Sequence, residues 1–314
     1  MGQDTSLVVT EGALVPEAPI AVVADEPYVV SCDISTLLRR WSLQKRFCVP
    51  EQGYFREMRA ALARELEAIF PSVEIIDESD LRAPLSAIIG RLRVPVISLD
   101  QAYAPFGHSL QVSRSVREDM TSAGLTGREG AGSIEEQVRT IAQSVQGDVA
   151  LVDDVIFSGD MIVENIIPIL RQHGISVRTV VAGVGIGSGV ERVRDEVPEV
   201  LCVRIYPRVV DEICERDFYP GVPLSGRTVL GSEHIGMPYV LPFGNPVDWA
   251  SIPRHAVVEF SRFCIKETER LFSEIEHCSG RPVHCFELNR GVFGLAAGHE
   301  RFVDELARAR ATLA

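Results

Sequence analysis

Between Val149 and Ile167 the chain reads VALVDDVIFSGDMIVENII. Four mostly apolar residues run into two acids, Asp153 and Asp154, and a Phe157-Ser158-Gly159-Asp160-Met161 turn then opens a helix. A buried strand that ends in paired carboxylates presents them at its carboxyl end, where open parallel sheets bind their ligands. Two adjacent carboxylates can accept hydrogen bonds from vicinal hydroxyls. The turn directs the free backbone N–H groups of a helix start, and the positive end of its dipole, at one anion-sized spot. A sugar with two hydroxyls at one end and a phosphate at the other matches this layout. Taken singly, the same residues are a solvated strand end and a serine helix cap, a reading that covers each residue but not the run.

The elements around this segment alternate. A strand is expected over Val73 to Ile76, a helix over Leu81 to Leu92 and a strand over Val94 to Leu99. The strand Val149 to Val152 leads into a helix carrying Val163, Ile166, Ile167 and Leu170 that ends near Gly174. Strand Val177 to Val184, a short helix around Val190 to Val197 and strand Val200 to Ile205 follow. Strand and helix in turn, with continuously apolar strands, predict a doubly wound, mainly parallel α/β sheet with right-handed crossovers. Earlier in the chain, Ile20 to Val30 reads as one or two short strands interrupted at Pro27, after a frayed first dozen residues. Phe55, Met58, Leu62, Leu66 and Ile69 recur at helical spacing between Gly53 and Phe70. Two segments break the rhythm. Ala104 to Gly132 is long and glycine-rich, the signature of a mobile lid. Phe218 to Pro253 is rich in proline and glycine and predicts irregular, ordered chain, after which a helix from Arg254, a short strand over Val283 to Leu288 and a helix over His299 to Leu313 are expected.

Composition narrows the function classes. Apolar residues at 46% provide for a sizeable core, and a net charge of −13 argues against a broad nucleic-acid or anionic-membrane surface. Seven scattered cysteines without a CxxC pair point to reduced thiols and a cytoplasmic protein. The acidic N-terminus does not read as a secretion signal, and the apolar runs are shorter than a bilayer span.

The segment Val149 to Met161 resembles the PRPP loop of the type I phosphoribosyltransferase family, with the resemblance extending over Val73 to Tyr219. It implies a core over residues 71–224, with 1–70 and an α-rich 225–314 forming a hood that selects the acceptor. Asp153 and Asp154 would take the ribose hydroxyls and, through ribose or water, Mg²⁺. Val155 and Phe157 to Met161 would cradle the 5-phosphate, Ser158 adding its hydroxyl. Two departures stand out: Met161 replaces a second hydroxyl residue, and Asp160 places an acid beside the phosphate. The family's pyrophosphate loop would fall on the acidic run Asp77-Glu78-Ser79-Asp80, where Arg82 is the group suited to a phosphate oxygen; a helix start capped by Ser79 or Asp80 explains the run equally well. Arg114, Arg117 and Arg128 would arrive with a flexible loop. Asp217, Phe218 and Tyr219 would contact a base, although the two aromatics also suit a core turn.

The resemblance implies a Mg²⁺-dependent enzyme, expected as a homodimer, that transfers ribose 5-phosphate between PRPP and a nitrogenous acceptor. PRPP or a nucleoside monophosphate would be its ligand, with no nucleic acid or membrane partner. A non-catalytic nucleotide sensor on the same fold, or a nucleotide-cleaving hydrolase or phosphorylase, are the alternatives. The run Gly183 to Gly189 is not a dinucleotide fingerprint and reads as a strand-end turn beside the site, and His277, Cys278, His284 and Cys285 lack zinc-ligand spacing.

Overall fold

The computed structural model describes residues 26–313; the N-terminal expectations for Ile20 to Asp25 and the residues before them lie outside these. The chain opens with β1 (Tyr28–Ser31), all four residues buried, followed by α1 (Ile34–Lys45), which buries Ile34, Leu37, Leu38 and Trp41 at helical spacing. α2 (Gln52–Glu67) buries Phe55, Met58, Leu62 and Leu66, and β2 (Val73–Ile76) leads into α3 (Glu78–Ile89). Then come β3 (Val96–Ser98), β4 (His108–Ser109), the hairpin β5 (Val112–Val116) and β6 (Ser122–Gly127), and α4 (Ile134–Ala142), whose start is fixed by a reciprocal capping box between Ser133 and Glu136. β7 (Gly147–Ile156) is followed by a π-helical stretch, Met161–Ile166, that continues as α5 (Ile167–Gln172). β8 (Ile175–Ile186), α6 (Gly187–Arg194), β9 (Glu199–Tyr206) and β10 (Asp211–Cys214) complete the core run. The remainder comprises β11 (Arg227–Val229), β12 (Ser232–Met237), α7 (Pro246–Ala250), the long α8 (Val257–Ser279), β13 (Gly291–Val292) and α9 (Phe302–Ala311).

The expected parallel α/β sheet is present as β4-β3-β7-β8-β9, with every neighbour parallel. β7 lies at its centre, where the apolar stretch from Val149 to Val152 is fully buried. Three expectations are corrected. β2 does not join this sheet; it pairs with β1 in a second parallel sheet, β10-β1-β2. Four residues with one fully buried side chain do not specify a partner by alternation alone. The stretch Ala104 to Gly132 is a hairpin rather than a free lid, because β5 pairs with β11 in a mixed sheet, β13-β12-β11-β5-β6, and Thr228 Oγ1 donates to Ser113 Oγ at 2.7 Å across that seam. The strand expected over Val283 to Leu288 is instead a 3₁₀ turn at Cys285–Glu287, held by the His284 amide donating to Glu287 Oε2 at 3.0 Å.

The N- and C-terminal additions share one apolar core. Trp41 stacks on Phe47 with ring centroids 4.8 Å apart and meets Phe272 of α8 edge-on, while its indole N–H donates to the Glu287 carbonyl at 2.9 Å. α1 and α2 therefore pack with α8 and α9 in one core, while the carboxyl ends of β7 and β10 open on a cleft that is also lined from β5, β11 and α7.

Candidate functional site

At the carboxyl end of β7, Asp153 pairs in register with Ala182 of β8, one residue beyond the point where β3 stops opposite Val152. The strand thus carries both acids to the cleft beyond the end of β3, with Asp153 buried and Asp154 half-buried. The turn behind them depends on two glycines. Gly159 has φ +78°, which favours glycine, and a Cβ on Gly189 would lie 2.0 Å from the Phe157 carbonyl oxygen, so only glycine lets the start of α6 close onto the turn. Gly189 belongs to the glycine run read from the sequence as a strand-end turn; its function is to support the cradle from behind. The following helix is wide because Pro168 lacks the N–H for a regular bond to Glu164, and the Ile167 N–H reaches back to the Ile162 carbonyl.

Val155, Phe157 and Met161 line the cleft with Asp153 and Asp154. The Ser158 hydroxyl donates to Asp160 Oδ2 at 2.8 Å, and Asp160 is ion-paired with Arg192 at 2.7 Å. With that hydroxyl engaged and the Asp160 amide donating to Ser158 Oγ at 3.4 Å, the remaining backbone amides of the turn are the donors left to an anion. Displacement of Asp160 toward Arg192 would free Ser158.

The two carboxylates differ in charge state. Burial pushes Asp153 well above the ordinary carboxylate range, with Asp154 and Asp100 adding like-charge repulsion, and its Oδ2 is buried without a partner. Burial acts on Asp154 in the same direction, but Arg216, which donates to its Oδ2 at 3.1 Å, holds it below the usual range. Arg216 also pairs with the fully buried Asp33, and the Cys214 thiol donates to Asp154 Oδ2 at 3.4 Å. Burial and the neighbouring acids favour the neutral form of Asp153, and Arg216 favours the ionised form of Asp154.

Glu212, on the cleft wall, is pushed up to about 8 by burial and accepts from Ser31 Oγ at 2.6 Å. A folded-state value above the unfolded one means that the stability this carboxyl contributes is complete below about pH 4.5 and is lost as pH rises to about 8. Glu212→Gln keeps the acceptor for Ser31 and removes the titration. The variant should therefore be more stable than the parent by on the order of 2 kcal/mol in urea unfolding at pH 9, and no more stable at pH 4. Equal stability at pH 9 would show that Glu212 is not held neutral.

The cleft, about 490 Å³ in volume, carries four arginines, Arg114, Arg128, Arg216 and Arg227. Arg216 is paired, whereas Arg114, Arg128 and Arg227 have no carboxylate partner among the described residues. Arg227 lies over Trp249, 4.6 Å from its centroid, and over Tyr239 at 5.6 Å; both rings line the cleft.

Several expected site residues are placed elsewhere. Arg82 is exposed on α3 and does not line the cleft. The acidic run before it is no pyrophosphate loop: Asp77 and Glu78 pair with Arg59, and Asp80 with Arg204. Arg117 sits at the hairpin end, donating to Thr121 Oγ1 and to the Ser122 carbonyl at 3.4 and 3.1 Å. Phe218 and Tyr219 are fully buried core residues, Phe218 edge-on to Phe260 at 5.0 Å. Asp217 does line the cleft, its Oδ1 accepting from the Gly226 amide at 2.7 Å. The residues missed by sequence reasoning are Arg216, Arg227, Tyr239 and Trp249. The only local signal was the irregular aromatic and glycine-rich stretch that carries the last three.

Among the described residues no group of three or more histidine, cysteine or acidic side chains is arranged to hold a metal. The unpartnered Asp153 oxygen is suited to a metal-bound water, so Mg²⁺ would take most of its ligands from phosphate oxygens and water. No described helix is long and apolar enough to cross a membrane.

No protein-family model matches the chain, and no curated protein sequence matches it. Solved structures are similar in part. Orotate phosphoribosyltransferase from Aeropyrum pernix is 20% identical over 36% of this chain and 58% of its own, with a TM-score of 0.22. Leishmania donovani UMP synthase is 16% identical over 41% of this chain and 26% of its own, with a TM-score of 0.25. The chain spans less than two thirds of either.

Proposed function

We propose that the cleft binds a ribose 5-phosphate group and that the protein is a phosphoribosyltransferase, moving that group between PRPP and a nitrogenous acceptor. The observation that carries this reading is the facing of Asp153, Asp154, Phe157 and Met161 by three arginines that have no carboxylate partner among the described residues, all in one cleft. Asp154 would accept from one ribose hydroxyl and Asp153 would exchange a hydrogen bond with the other, fixing the anomeric carbon. The amides of Ser158 to Met161 would hold the 5-phosphate. Arg114 and Arg128, on the hairpin, would stabilise charge developing on the departing pyrophosphate, so positioning and electrostatics supply most of the acceleration. Bound Mg²⁺ would offset phosphate charge. Acceptors would meet the Tyr239 and Trp249 side of the cleft.

Incubation with PRPP, Mg²⁺ and a panel of bases should release pyrophosphate with at least one acceptor. Release should stop on chelation and return with added Mg²⁺. Metal-independent release would overturn the metal's part. A binding protein without turnover is the second reading, favoured by Asp160 occupying Ser158 and by the pairing of Asp77 and Glu78 with Arg59. It predicts PRPP binding with no release from any acceptor.

A further inference from the structure

Beside the main cleft, sharing Arg128 and Leu224 with it, lies a smaller pocket of about 120 Å³. At about 30 Å³ per water in the liquid, it has room for a tetrahedral oxyanion. Arg290, just before β13, reaches it from the C-terminal addition and is 8% exposed. Its Nη1 donates to the Ser225 and Gly226 carbonyls at 3.3 and 3.1 Å, and its Nη2 to Thr228 Oγ1 and the Ile235 carbonyl at 2.7 and 3.1 Å. Every one of these acceptors is neutral, so the guanidinium is held in place without being neutralised. Its Nε is buried without a partner, as is the Nε of Arg128. Burial lowers Arg290 to about 9, with Arg128 the foremost neighbouring charge acting on it, and lowers Arg128 to about 10. Both therefore stay positive at neutral pH. A buried and a half-buried like charge on one small pocket are costly, and an anion seated there would relieve the cost.

Glu129 and Glu233 also line the pocket; Glu129 is exposed and Glu233 half-buried, and neither makes an ion pair with the two arginines. A phosphate that keeps a hydroxyl could donate it to one of them, while a fully deprotonated phosphate would be repelled. Gln111 and Asn289 supply the neutral polar lining.

We propose that Arg128 and Arg290 form a second oxyanion site, beside the ribose-phosphate cleft, for a phosphate-class anion. The anion is either a free phosphate or pyrophosphate, or the second phosphate group of a ligand lying in the main cleft. Arg128 is shared with the pyrophosphate end of the proposed reaction, so that part of the site rests on that reading, whereas Arg290 belongs to this pocket and not to the main cleft.

Calorimetric titration of the full chain with inorganic phosphate and with pyrophosphate tests it. Arg290→Gln and Arg128→Gln should each weaken one binding event by about 10-fold or more, the loss of a charge-assisted contact. The Arg128 variant covers the case in which Arg290→Gln fails to fold, since no side-chain hydrogen bond of Arg128 is present among the described residues. Glu233→Gln should tighten binding. The Asp153→Asn, Asp154→Asn double variant should leave pyrophosphate binding here intact, so loss of ribose binding and loss of this site are separable. A matching fall in PRPP affinity in Arg290→Gln assigns the site to a ligand's second phosphate; a fall confined to free phosphate assigns a separate anion. Unchanged phosphate and pyrophosphate affinity in folded Arg128 and Arg290 variants would overturn the proposal. So would a Glu233→Gln protein that is destabilised without binding more tightly, because the acid would then be the arginines' counter-ion.

Discussion

Replacing Arg59 with methionine should lower the free energy of unfolding by about 3–5 kcal/mol, the cost of leaving buried carboxylates without their cation. Arg59 is 5% exposed and reaches three acids from α2: Glu215 Oε1 at 3.1 Å, Glu78 Oε1 at 2.9 Å and Asp77 Oδ1 at 2.8 Å. Glu215 has no exposed surface, and after the substitution it would keep only the Asp33 and Ile34 amides as donors. Glu78 would retain the hydroxyls of Ser35 and Thr36. The guanidinium thereby joins the N-terminal helices to the start of α3 and to the chain leaving β10, which is the wall of the cleft. Urea unfolding should show a lower midpoint with an unchanged slope. Arg59→Lys, which keeps the charge but not the fork, should recover part of the loss. A methionine variant within 1 kcal/mol of the parent would mean that the cluster is hydrated and not structural.

Exchanging both Asp153 and Asp154 for asparagine should weaken PRPP binding by about 10-fold or more while leaving the fold in place, since the charged hydrogen bond lost at Asp154 contributes about 1.5–3 kcal/mol. The fold should tolerate the change for a reason specific to this site. Asp153 is already held toward its neutral form by burial, so asparagine is close to it in shape and charge. Arg216, deprived of Asp154, keeps Asp33. Titration calorimetry with PRPP and with a nucleoside monophosphate reads the binding, and the thermal midpoint reads the fold. Unchanged affinity for both ligands would remove the central assignment, whatever the family resemblance.

The run from Val149 to Met161 was legible in the sequence because every feature in it is local. An apolar strand, paired acids at its end and a glycine turn into a helix lie within consecutive residues, and backbone geometry alone brings them together. The alternating strands of the central sheet were legible for the same reason, since burial on both faces writes itself as continuous apolar runs. What the tertiary structure decided was partnership at long range. The acids at Asp77 to Asp80 face Arg59 and Arg204, not a ligand, because α2 and β9 pack against the start of α3. Phe218 and Tyr219 turn into the core, while Tyr239 and Trp249, farther along the chain, take the cleft. Arg216 holds Asp154 toward its ionised form, yet it stands 62 residues from Asp154 in the chain. Charge alone does not say which acid an arginine will meet. Periodicity reports whether a side chain is buried; which partner it is buried against depends on loop closures and sheet pairings that no local pattern encodes.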